Sequence, residues 1–157
     1  MRRVAVTGTT GRVGRAVADR LAMDHAVIEL PRTAWDFADE ATVGRIGELD
    51  FDLLVHPAAI TSLEACEEDA AAARRVNAEA PAELAALCAR RGAAMIHFST
   101  DYVLDGAAPG LRDESAATGP ISEYGRTKLD GERAVLAAGG CVLRVSWVFG
   151  PERPAFP

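Results

Sequence analysis

No run of apolar residues in this sequence is long enough to cross a bilayer, so no membrane-spanning helix is expected. The opening Met1-Arg2-Arg3 leads straight into a strand pattern rather than into the apolar core of a signal peptide, and a cytoplasmic location is expected. Basic residues are outnumbered, 17 Lys and Arg against 23 Asp and Glu. The net charge of −6 leaves no basic face for nucleic acid. Aromatic residues are few, and Trp35 and Trp147 stand without neighbouring basic clusters, which places them in the core or at a rim rather than on a base-stacking platform. Cysteine is scarce: Cys66, Cys88 and Cys141 are odd in number and form no CxxC, so buried free thiols in a reducing compartment are expected. The three histidines share no metal-ligand spacing; His25 reads as surface, His97 as packed inside a strand, and His56 as a strand end. No metal site is expected, and Glu67-Glu68-Asp69 reads as a solvated helical face.

What is present is the raw material of one globular domain, with 49% apolar residues over 157 positions. Short apolar runs bounded by turn residues alternate with helical stretches, the pattern of βαβ units. Strands are predicted over Val4 to Val6, Ala26 to Leu30, Leu53 to His56, Met95 to Phe98 and Val142 to Val148. Helices are predicted over Gly14 to Met23, Glu64 to Arg91 with a break or fresh start at Pro81, and Ser122 to Ala138. The fold class is α/β: a Rossmann-like, doubly wound parallel sheet between two layers of helices. Residues 1–150 are expected to form a dinucleotide-binding domain. Residues 151–157 are expected to begin a C-terminal substrate-binding part, so the sequence reads as a fragment.

The first strand runs into Thr7-Gly8-Thr9-Thr10-Gly11-Arg12-Val13-Gly14 and then into a helix. In that context Gly8 permits a tight turn, Gly11 lets a pyrophosphate approach the backbone, and Gly14 lets the helix pack on the strand. Thr10, Arg12 and Val13 complete the expected cofactor contacts of the loop. The spacing is GxxGxxG, and an unrelated strand–helix loop is the competing reading of this motif alone. Near the end of the second strand, Glu29 could hold the ribose 2′-hydroxyl of NAD(H), whereas Arg32 and Arg12 could meet the 2′-phosphate of NADP(H). The balance favours NADP(H) over NAD(H).

Tyr124 and Lys128 lie one helical turn apart and share a face. A phenol is a poor proton donor or acceptor near neutral pH, and a nearby ammonium would lower its pKa. Lys128 could also bond the nicotinamide ribose. Thr100 follows an apolar strand and could stabilise negative charge developing on a substrate oxygen. Ser99 competes for that role, but neighbours on a strand point to opposite faces. Thr100, Tyr124 and Lys128 are therefore the candidate catalytic trio of a nicotinamide-dependent carbonyl/alcohol site.

These motifs, with His56-Pro57-Ala58-Ala59-Ile60-Thr61, Val76-Asn77-Ala78, Ser99-Thr100-Asp101-Tyr102-Val103 and Arg144-Val145-Ser146-Trp147-Val148-Phe149-Gly150, resemble the extended short-chain dehydrogenase/reductases. Within them the chain is similar to the dTDP-4-dehydrorhamnose reductase family over essentially its whole length. The resemblance implies that Ala58 and Ala59 line the cofactor channel and that Asp101 and Tyr102 lie toward substrate. It implies reduction of a nucleotide-activated 4-keto-6-deoxy sugar at C4, with Tyr124 as acid. Related 4,6-dehydratases place an Asp-Glu pair after the threonine, because eliminating water needs an acid and a base; here Tyr102 follows Asp101, which favours simple reduction. His56-Pro57 and Leu104 depart from the family's usual residues. A non-catalytic dinucleotide-binding regulatory subunit and a nucleotide-sugar epimerase remain open, as does a homodimer.

Overall fold

In a computed structural model, which describes residues 1–107 and 109–150, the expected strands form one sheet. Strands β1 (Arg3–Thr7), β2 (Ala26–Leu30), β3 (Leu53–His56), β4 (Ala94–Thr100) and β5 (Cys141–Val145) pair in the order β2-β1-β3-β4-β5. Every pair is parallel, so each connection must cross over a face of the sheet. The crossovers carry α1 (Arg12–Leu21), α2 (Ala41–Gly47), α3 (Leu63–Glu68), α4 (Ala70–Arg74), α5 (Ala80–Arg91) and α6 (Glu123–Ala137). This is the Rossmann-like α/β architecture.

Alternation along β1 sends neighbouring side chains into two different cores. Ala5 packs with Leu54, Met95, Ile46 of α2, Leu84 of α5 and Val135 of α6. Val4 and Val6 face the other way, onto Val55 and Ala18 of α1. Both faces are covered, which explains why the strands read as unbroken apolar runs. The strand order turns back between β1 and β3, and a crevice opens there beyond the C-terminal strand ends, where ligands bind in open α/β sheets.

Three expectations about elements are corrected or narrowed. Pro81 does not break the helix: of the two alternatives it marks the start, lying in the first turn of α5, which follows α4 and a π-helical turn, Arg75–Glu79, without interruption. A proline has no N–H for the carbonyl four residues earlier, and that carbonyl, of Asn77, faces α6 instead. A Cβ on Gly131 would lie 2.4 Å from its oxygen, so two helices meet where the backbone is widened. The real interruption is at Asp69, whose side chain caps α4 by accepting from Ala72 N–H. The last strand ends at Val145 rather than Val148, leaving Ser146 to Val148 to border the crevice. The third concerns the thiols: Cys66 and Cys88 are buried, but Cys141, at the start of edge strand β5, is exposed. Residues 151–157, the expected start of a C-terminal part, lie outside the described residues. Among the described residues no helix is long and apolar enough to cross a membrane.

Candidate active site

The sequence-assigned residues converge on one cleft of about 750 Å³ at the point where the strand order reverses, a volume typical of small-molecule and cofactor sites. One wall is the loop between β1 and α1. Gly8 has φ +62°, and a Cβ on Gly14 would sit 2.2 Å from the Gly8 carbonyl oxygen, so the turn closes only with glycine at both positions. A Cβ on Gly11, by contrast, would meet only that same oxygen, at 3.2 Å. Gly11 is also the N-cap of α1, and no side chain caps the helix. Its first N–H groups are left for an anion, as a pyrophosphate requires. The Thr9 hydroxyl beside them is buried without a partner. Thr10, Arg12, Val13 and Arg32 border the same space, opposite Ala58 and Ala59 after β3. These residues fit a dinucleotide.

Arg12, besides bordering the cleft, makes a structural bond. Its Nη1 donates to the Val148 carbonyl, tying the glycine loop to the segment after β5. Arg32 stays largely exposed, 3.9 Å from Asp36. Glu29 is engaged by Arg15 at 3.2 Å.

The other wall is built by β4 and α6. Where β4 ends, Asp101–Val103 form a single 3₁₀ turn, and the Thr100 hydroxyl accepts from Tyr102 N–H at 3.2 Å and donates to Asp101 at 3.1 Å. Asp101 in turn accepts from the Ser146 hydroxyl at 2.7 Å, joining the ends of β4 and β5. Because the backbone turns directly after Thr100, Ser99 borders the cleft as well, its hydroxyl buried and unpartnered; strand alternation did not separate the two.

Helix α6 begins at Ser122, whose hydroxyl accepts from Gly125 N–H, while Glu67 accepts from Glu123 N–H at 2.7 Å. Glu67 is thus a cap on the helix that carries Tyr124 and not simply a solvated charge. A Cβ on Gly125 would lie 2.3 Å from the Tyr102 carbonyl oxygen, so α6 seats directly on the 3₁₀ turn. Ala is normally the better helix former by about 1 kcal/mol. Gly125→Ala is nevertheless expected to destabilise by about 2 kcal/mol or more, because backbone must move; thermal unfolding checks the sign.

Tyr124 faces Thr100, with which it hydrogen-bonds, and its ring meets Tyr102 edge-on at 5.7 Å. Burial raises its pKa, the Thr100 bond acting against that rise. The net shift is upward with burial as its largest cause, which corrects the expectation of a phenol lowered by Lys128. Its Nζ turns inward, donating to the Phe98 carbonyl at 2.7 Å and lying 3.1 Å from His97 Nε2. At 2% exposure the ammonium is costly, and burial lowers its pKa to about 7, against the pull of Glu132.

Asn77 is a further organising residue. It exchanges two 2.9 Å bonds with the Ile60 backbone and donates to Thr127 of α6 at 3.3 Å, clamping the Ala58–Ala59 wall to the Tyr/Lys helix. Its signal in the sequence was only its place in Val76-Asn77-Ala78. Asp101, Tyr102, Tyr124 and Lys128 all border the cleft. Among the described residues no group of three His, Cys, Asp or Glu could hold a metal.

Comparison with known proteins agrees with this arrangement. A family model described as RmlD substrate binding domain matches residues 1–157. The dTDP-4-dehydrorhamnose reductase of Burkholderia thailandensis is 41% identical over 157 residues, covering 98% of this chain and 53% of that protein. A solved dTDP-4-dehydrorhamnose reductase from Clostridium acetobutylicum superposes with a TM-score of 0.90 at 31% identity, over 98% of this chain and 56% of that one. The Bacillus anthracis dTDP-4-dehydrorhamnose reductase, solved in complex with NADP, gives a TM-score of 0.86 at 27% identity, over 93% and 54%. The chain spans about half the length of the curated relatives it matches. On its matching family model, its parallel sheet and its cleft, the chain belongs to the dTDP-4-dehydrorhamnose reductase family.

Proposed function

We propose that this chain is the cofactor-binding and catalytic portion of an NADP(H)-dependent reductase of a nucleotide-activated 4-keto-6-deoxy sugar. The observation that carries the reading is the convergence of a glycine phosphate turn, Thr100, Tyr124 and Lys128 on one cleft at the switch point. A nicotinamide cofactor held at the glycine turn would supply the hydride for C4 of the sugar. Thr100 holds the carbonyl oxygen, and Tyr124, kept protonated by burial, gives its proton to that oxygen as negative charge develops. Lys128, a turn further along the same helix, borders the cleft, where it could bond the nicotinamide ribose. Gly8, Gly11 and Gly14 let the pyrophosphate reach the uncapped start of α1. Asp101 and Tyr102 border the substrate side, and the homologous reductases support a nucleotide sugar as its occupant.

The preference for NADP(H) over NAD(H) rests on Arg32, which borders the cleft, and on Glu29, which is already paired with Arg15. Arg32→Ala is expected to weaken NADPH binding about tenfold at low salt and to leave NADH nearly unaffected. Fluorescence titration of both cofactors checks it; equal losses would move the 2′-phosphate contact elsewhere.

The decisive assay adds a dTDP-4-keto-6-deoxyhexose and NADPH and follows cofactor oxidation together with the sugar product. Stoichiometric NADPH consumption with a 4-hydroxy product is expected. Cofactor binding without turnover would favour the regulatory reading, and product without net cofactor consumption would favour epimerisation.

A further inference from the structure

Behind the cleft lie two buried histidines that the reaction described above does not use. His56 ends β3 and His97 sits in β4; the two are direct register partners, and their rings stack at 5.3 Å and 22°. Both are fully buried. His56 Nδ1 lies 2.9 Å from the Thr7 hydroxyl, which also accepts from Ala58 N–H at 3.3 Å. The Thr7 proton is therefore free to point at His56 Nδ1. His97 Nε2 lies 3.1 Å from Lys128 Nζ.

Donor and acceptor roles follow from counting protons. An ammonium has three protons and no lone pair, and one proton of Lys128 goes to the Phe98 carbonyl. Buried as it is, it needs another acceptor, and His97 Nε2 serves only if its lone pair is free. The ring proton must then sit on Nδ1. That nitrogen is buried without a hydrogen-bond partner, so it is the demand of Lys128 on Nε2 that selects this tautomer. Burial, together with the positive charge of Lys128, keeps His97 well below its ordinary pKa and therefore neutral.

We infer that His97 is a positioning residue: as the Nδ1–H tautomer, held flat by the stacked ring of His56, it accepts a hydrogen bond from Lys128 and fixes the ammonium at the back of the cleft. The inference rests on the reading that Lys128 takes part in the reaction, but its geometry is testable without turnover. The chain of hydrogen bonds from Lys128 ends at His97, whose Nδ1 is buried without a partner, so the arrangement is an anchor and not a proton path to solvent. The other ionisable groups around Lys128 are His56 from β3 and Glu132 from its own helix. Glu132 is closed off by a two-pronged bond from Arg144 on β5, at 2.8 and 2.7 Å. His97 is thus the one ionisable side chain among these that bonds Lys128 directly.

Nitrogen-15 NMR of the unaltered protein at about pH 6, where Lys128 is mostly charged, is expected to find the His97 proton on Nδ1 and a bare Nε2. A proton on Nε2 would overturn the proposal without any mutant. Titration of the Lys128 ε-methylene then compares variants. His97→Gln, which offers an amide oxygen, should titrate near the wild-type value of about 7. His97→Leu should titrate about one to two pH units lower, since hydrogen bonds to charged groups are the strong ones. A folded His97→Leu protein with an unchanged Lys128 titration, or an equal fall in both variants, would refute the anchor. Either result would leave the reductase reading standing, whereas loss of turnover with these titrations intact would fall on that reading alone.

Discussion

Tyr124→Phe is expected to lower turnover by about 10²- to 10⁴-fold, the usual worth of a positioned general acid, while NADPH affinity stays within about twofold. The separation follows from what each part of Tyr124 touches. The ring carries the packing: it meets Tyr102 edge-on and sits in the stretch of α6 seated on the 3₁₀ turn, and phenylalanine keeps both contacts. The hydroxyl carries the proton. Thr100, its partner, still has Asp101 as acceptor at 3.1 Å and Tyr102 N–H as donor at 3.2 Å, so removing the phenol oxygen strands no buried group. Stability should therefore change little. The phosphate turn lies on the opposite wall, which is why cofactor binding should be spared. Turnover within about tenfold of wild type would remove Tyr124 from the proton transfer.

The raised pKa of Tyr124 has a consequence for direction. Burial keeps the phenol protonated at neutral pH, the state needed to give a proton to an alkoxide. Oxidation of an alcohol would need the phenolate, which burial disfavours. As far as the phenol decides it, the rate of reduction should not rise with pH through the neutral range, while the reverse reaction should climb toward alkaline pH. Parallel pH–rate profiles measured in the two directions check this.

Much of the fold was legible because each strand carries its own signal. Val4 to Val6, Ala26 to Leu30 and Leu53 to His56 are short apolar runs closed by a glycine turn or a proline, and the structure places strands over all three. The glycine turn was legible because its requirement is steric and local: Gly14 lies against Gly8, six residues away. What was not legible depends on partners distant in sequence. Pro81 looked like a boundary, yet the helix widens before it and presents the Asn77 carbonyl to Gly131 on another helix. Helix α2 is only seven residues long and contains Gly44 and Gly47, too little for a periodic pattern. Spacing put Tyr124 and Lys128 on one face, but it could not show that the Lys128 amine turns back toward β4. That direction is set by His97 and the Phe98 carbonyl, some thirty residues earlier. His56 and His97 meet only through the register of two parallel strands separated by α3, α4, the π turn and α5.

That inward turn of Lys128 sets up the second large effect, on stability. A lysine whose pKa falls from 10.5 to about 7 on folding costs the native state about 5 kcal/mol wherever it must be charged in both states. The unfolded chain binds the extra proton between pH 7 and pH 10.5. Stability from this group is therefore full above 10.5 and is lost as pH falls to about 7. Lys128→Met removes the titration. It also leaves the Phe98 carbonyl and His97 Nε2 without their donor, at about 1–3 kcal/mol each, a cost that does not depend on pH in this range. The wild-type protein should thus gain about 4 kcal/mol on the variant between about pH 6 and pH 10. Cys66 and Cys88, whose thiols burial raises, work in the opposite direction, but equally in both proteins, so they cancel from the difference. His56, held at about pH 3 by burial, takes stability away as pH falls below about 6.5, again in both. Urea unfolding across this range measures the gap directly. Parallel curves would mean that Lys128 keeps an ordinary pKa and reaches solvent. A gap that widens with pH would establish that the fold bears a cost to hold this amine in a dry place at the back of the cleft.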